Sequence, residues 1–229
     1  MATSTGRDLA DPSFRAGVVE LCGALAYGEL VGFFMIVHDA ETAPRLSDRI
    51  ALARLAAHEL EQYERLSGRV TELGGDPETA MAPFTEGFDD WHRRTPAGSW
   101  LEGLMKVYAG HTLATDFYRE ISAYVDPETK ALVEEVLHDT GHLDFAERTL
   151  REAISQDPAA GGRLALYGRR LIGEALSQAQ RVAAERDAIT NLLVDDGSGN
   201  GADLAELTQM FARITQAHTD RMEWLGLSA

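Results

Sequence analysis

Six side chains have the types and spacing to hold a metal ion: Glu29, then Glu59 with Gln62, then Asp116, then Asp139 with His142. Each sits where an apolar stripe at helical spacing expects a hydrophobe. Glu29 interrupts the stripe Phe14, Val18, Leu21, Leu25 and Ile36. Glu59 and Gln62 interrupt Leu52, Leu55, Leu66 and Val70. Asp139 and His142, three residues apart and so on one face, interrupt Leu132, Val136, Leu143, Ala146 and Leu150. Asp116 is the inward candidate of a stretch whose stripe turns polar in its second half. An ionised carboxylate placed inside a helical core is costly unless it is paired or binds metal. Carboxylate and imidazole donors suit iron or manganese. Gln62 offers a neutral amide oxygen, equally at home as a hydrogen-bonding core group. Arg119, one turn past Asp116, is the cation that competes with a metal for these acids.

Six long helices must position these residues. The spacing predicts helices over Pro12 to Glu41, Leu46 to Leu73, Trp100 to Val125, Pro127 to Ser155, Ala160 to Val194 and Ala202 to Leu225. Four Asp-Pro pairs, at Asp11, Asp76, Asp126 and Asp157, each precede such a segment. Asp caps the first amides and Pro fits the first turn. Ser99-Trp-Leu-Glu102 reads as a capping box, and Gly74-Gly75 ends the second helix. Residues Gly74 to Gly98 form a long crossover, with a short helix near Pro77 to Met81. Such a crossover lets the second and third helices run parallel. Gly28, Gly32 and Gly141 lie inside helices beside the candidate ligands. A glycine there costs about 1 kcal/mol, so each is expected to relieve crowding or open space. The fold expected is all-α: a ferritin-like four-helix bundle over 12–155, with two additional C-terminal helices over 158–225, in one domain spanning 1–229.

Length and 45% hydrophobic content allow a substantial core. The longest apolar run, Leu30 to Val37, is too short to span a bilayer, and no signal peptide is visible. With one cysteine, Cys22, there is no internal disulfide; it reads as a small buried hydrophobe. A cytoplasmic location is expected. The formal charge of −16 opposes a general electrostatic grip on nucleic acid. Phe88-Asp-Asp-Trp-His-Arg-Arg94 in the crossover has aromatic and arginine residues fit to clamp a base, but Trp91 packed over the bundle is the preferred reading. Lone histidines His38, His111 and His218 are expected at or near helix surfaces or ends rather than as ligands.

Four stretches carry a family resemblance: Ala-Tyr-Gly-Glu-Leu around Glu29, Phe-Tyr-Arg-Glu-Ile after Asp116, Asp-Thr-Gly-His from Asp139, and Gly-Glu-Ala-Leu-Ser-Gln-Ala-Gln-Arg-Val-Ala-Ala-Glu-Arg-Asp in the fifth helix. Over nearly its whole length the chain resembles the actinobacterial MiaE-like group of the ferritin-like superfamily, named for the tRNA isopentenyl-adenosine hydroxylase. The resemblance implies an oxygen-activating site with two iron ions, manganese or a single metal being the alternatives, and hydroxylation of a substrate C–H bond. It implies dioxygen and an electron donor as partners. The pattern departs in three places. Gln62 stands where a histidine is expected, with His58 one turn earlier as a substitute, and Asp116 and Asp139 replace longer glutamates. The leading expectation is therefore a di-iron oxidase or hydroxylase. A tRNA substrate is disfavoured by the charge, no membrane is involved, and a homodimer stays open as an assembly. The alternative is a non-catalytic scaffold or dimerisation module whose carboxylate cluster is structural or holds one metal. Iron storage is a weaker third, because the extra helices obstruct a closed shell.

Overall fold

The computed structural model describes residues 8–137, 143–193 and 204–228. Among them there is no strand, and ten α-helices follow one another: α1 (Pro12–Thr42), α2 (Leu46–Glu72), α3 (Pro77–Met81), α4 (Thr85–Arg94), α5 (Trp100–Ile121), α6 (Pro127–Val136), α7 (Asp144–Gln156), α8 (Pro158–Glu185), α9 (Asp187–Leu193) and α10 (Leu204–Trp224). All four Asp-Pro pairs cap as expected. The carboxylates of Asp11, Asp76, Asp126 and Asp157 accept from the amides of Ser13, Thr79, Thr129 and Ala159 at 2.8–3.0 Å. Each such cap contributes about 1 kcal/mol. The capping box is shifted by one residue. Ser99 accepts from the Glu102 amide, but the Glu102 carboxylate reaches back to the Gly98 amide at 2.6 Å. Gly74 takes a left-handed φ of 81°, which lets the Gly75 amide close on the Val70 carbonyl at 2.9 Å and end α2.

Two of the six predicted helices are each seen as two elements. The predicted fourth helix is seen as α6 and α7, on either side of 138–142, which lie outside the described residues. The predicted fifth helix breaks at Arg186 into α8 and α9. There the chain turns extended (φ −116°, ψ 90°), and Arg186 pairs with Glu20 of α1. The crossover is mostly helical, because α3, a 3-10 turn at Ala82–Phe84 and α4 fill it.

α1 packs along α2 and also touches α5 and α9; α8 touches α4, α5, α7 and α10. Two apolar clusters form the interior. One is built on Leu52, Leu55, Leu104, Met105, Leu150 and Leu171. The other is built on Val18, Leu25, Leu66, Val70, Phe84 and Leu192. Arg69 of α2, 5% exposed, bridges to the start of α6 through Asp126 at 3.1 Å and Thr129 at 3.0 Å. Cys22 is buried, and burial pushes its thiol up to about 12, so it stays protonated. Among the described helices α1 has the length and apolarity of a membrane span. Counting uninterrupted apolar residues missed this, because Tyr27-Gly28-Glu29 ends the run while an average over 18 residues tolerates one carboxylate. Its packing along α2 with Glu29 inside is that of a core helix.

Candidate functional site

Glu29 projects from α1 and Glu59 from α2, and both are buried, at 8% and 5% exposure. The two carboxyl groups lie close enough to perturb each other directly. Two carboxylates this close inside a protein do not both stay ionised. Burial, then the charge of Glu59, raises Glu29 well above the ordinary carboxyl range. Burial also pushes Glu59 upward, but hydrogen bonds from His111 and Glu29 outweigh it and the net shift is down. One proton shared by the pair relieves the repulsion, and the direction of the shifts favours Glu29 as its holder.

His111 of α5 lies 3.1 Å from Glu59 through Nδ1. It is a core partner of the acid pair, not a surface histidine. Its position three residues after Tyr108, four after Val107 and seven before Tyr118 was the signal for an inward face, but the polar half of α5 masked it. Tyr118, 8% exposed, joins the same site. Burial and then the nearby Glu29 and Glu59 carboxyls raise its phenol well above the ordinary value, so it stays protonated.

Glycines make this crowding feasible. A Cβ on Gly32 would stand 2.8 Å from Glu59 Oε2, and one on Gly28 would stand 2.6 Å from the Tyr118 hydroxyl. Both helix-interior glycines thus relieve crowding beside the acids, as their cost in a helix implied.

The other predicted residues are placed differently. Gln62, 4% exposed, bonds to the His58 ring at 3.3 Å and accepts from Arg65 at 3.4 Å. Asp116 is buried, and its carboxylate is taken by Arg221 of α10, with Arg119 at 3.7 Å. The competing cation foreseen at Arg119 is real, but the closer partner comes from the last helix. Asp139, His142 and Gly141 lie outside the described residues. Among the described residues no three of His, Cys, Asp and Glu converge as a metal site. The two donors that do meet, Glu29 and Glu59, fit a divalent cation in chemistry, while His111 is bonded to Glu59. Both are oxygen donors, no Lys or Arg lines the cavity beside them among the described residues, and a metal can replace a carboxyl proton.

The acid pair opens on an apolar cavity of about 430 Å³ between α1, α4, α5, α8, α9 and α10. Leu25, Ile36, Phe88, Val182, Leu193 and Met210 are among the groups that wall it. No Lys or Arg does so among the described residues. Trp91 lines one side and donates to the Leu171 carbonyl at 3.2 Å. Behind it Lys106, 6% exposed, donates to the Thr95 carbonyl at 2.8 Å and sits 4.9 Å over the Trp91 ring. Burial lowers this lysine to about 8. The arginines of the crossover are spent within the fold, Arg93 on Asp90 and Arg94 on Glu174.

A helical bundle with buried glutamates meeting from its first two helices is compatible with a ferritin-like fold. The comparisons agree. The family model of the ferritin-like domain of actinomycetes matches residues 12–196, and the chain belongs to that family. In structure it is similar to protein 19 with aldehyde deformylating oxidase activity from Synechococcus, with TM-score 0.69, 22% identity and 94% of each chain covered. That likeness is one of fold. No curated protein matches the chain in sequence.

Proposed function

We propose that the protein is a ferritin-like, metal-dependent oxidase. One observation carries this: two buried glutamates from adjacent helices stand together beside an imidazole and line an apolar cavity sized for a small molecule. The oxidase activity printed for the structural neighbour supports the reaction class. Glu29 and Glu59 would hold the metal, with Asp139 and His142 completing its coordination and Gln62 and Asp116 at its margin. Two iron ions are the proposed complement. Bound iron would supply the redox chemistry for dioxygen. Glu29 would give up its proton to hold the metal, His111 orients Glu59, and the apolar wall limits water. For Asp116 to serve, Arg221 must first release it.

Within the family, the MiaE-like hydroxylase reading rests on the four motif stretches. The apolar lining and the charge of −16 support a small apolar substrate over tRNA.

The test is metal content by mass spectrometry, on protein purified without chelators from iron-supplemented cells, beside Glu59→Ala. About two iron or manganese ions per chain, lost in the variant, support the dinuclear reading, and about one supports a mononuclear site. No metal in folded protein overturns both and leaves the proton-sharing pair as a structural group of a scaffold.

A further inference from the structure

Gln178 of α8 presents an anomaly in the cavity wall. Its side-chain oxygen is buried and has no hydrogen-bond partner, yet the residue lines the apolar cavity. Facing it on α4 is Gly87, whose absent side chain leaves room; even an added Cβ there would stand 3.8 Å from that oxygen. A buried acceptor without a partner is costly, and native structures rarely keep one without a reason.

Glu59 is engaged with His111, and Trp91 donates to the Leu171 carbonyl. Among the described wall residues Gln178 Oε1 is the buried side-chain acceptor left without a hydrogen bond. A carbonyl oxygen only accepts, so its natural partner carries an O–H or N–H. The wall contains no Lys or Arg among the described residues, and the acid pair would repel an anion, so a carboxylate or phosphate head finds no countercharge. A charged ammonium pays heavily for entering an apolar space. A neutral hydroxyl remains. The walls on either side are aliphatic and aromatic, which suits a hydrocarbon body.

We propose that the cavity binds an aliphatic alcohol and that Gln178 Oε1 accepts the hydrogen bond from its hydroxyl. This deepens the oxidase reading by naming the substrate class, and it rests on that reading only for turnover, not for binding. Gln178 acts here as a specificity-determining residue.

The experiment is displacement of the fluorescent apolar probe N-phenyl-1-naphthylamine from the full chain by 1-decanol, decanal and decanoic acid, with metal content measured on the same sample. Decanol is expected to displace the probe at about tenfold lower concentration than decanal, as one hydrogen bond allows, with the acid weakest. Gln178→Leu should bring decanol and decanal together while circular dichroism and metal content stay unchanged. Gln178→Met, closer in shape, should do the same. The proposal is overturned if decanal binds as well as decanol to the natural chain. It is also overturned if both folded variants keep the preference. Loss of metal binding with the alcohol preference intact sinks the oxidase reading alone, so the two failures are told apart.

Discussion

Acid should loosen the last helix, and His218 is the reason. It sits on α10 at 3% exposure, and neither ring nitrogen makes a hydrogen bond of ordinary geometry. Only a weak approach to the Gly168 backbone of α8 and the charge of Asp116 on α5 favour its protonated form. Burial and then Arg221 on its own helix lower its pKa from 6.5 to about 4. The folded protein therefore keeps it neutral while the unfolded chain protonates it near 6.5. Its contribution is fully present above 6.5 and is lost as pH falls toward 4. The full loss is on the order of 3 kcal/mol, of which about 2 kcal/mol goes between pH 7.5 and pH 5. His92, lowered to about 4 by burial and then Lys106, acts in the same direction. Urea unfolding at pH 7.5, 6 and 5 measures the slope, and His218→Met should reduce the fall by about 2 kcal/mol while leaving that of His92. Parallel curves for natural chain and variant over this range would refute the reasoning. The consequence reaches the site, because α10 also supplies Arg221 to Asp116 and Met210 to the cavity wall.

Three more outcomes are expected. Gly32→Ala drives a methyl to within 2.8 Å of Glu59 Oε2; it should cost about 1–3 kcal/mol in thermal unfolding despite the better helix propensity, and lower metal uptake. Arg69→Met removes the partner of buried Asp126 and Thr129 and should cost about 3–5 kcal/mol in denaturant unfolding; a change under 1 kcal/mol contradicts the bridge between α2 and α6. Because Glu29 is held protonated well above its ordinary range, metal entry should release about one proton and bind more tightly as pH rises. Calorimetry in two buffers of different ionisation enthalpy reads this directly, and zero proton release would count against the shared proton.

By itself the sequence determined the class of fold, the caps and the two buried acids. Those signals are local. An Asp-Pro pair makes its hydrogen bonds within three residues, and an apolar stripe at spacing three and four marks an inward face wherever the helix docks. Glu29 and Glu59 were visible because each breaks such a stripe. The interior glycines beside them were visible because they pay a helix cost that only crowding explains. The break at Arg186 was not visible, since the helical period runs on through it; there the chain turns where its guanidinium meets Glu20, 166 residues away. Only the tertiary structure decided that His111 meets Glu59 across 52 residues, or that Arg221 claims Asp116 across 105. It also decided that Gln178 is left facing an apolar space opposite Gly87. A sequence pattern says which face of a helix turns inward. Which groups then meet, and which acceptor is left over, depends on how the helices are rotated and translated against one another. That is set by packing the whole core, and no single helix encodes it.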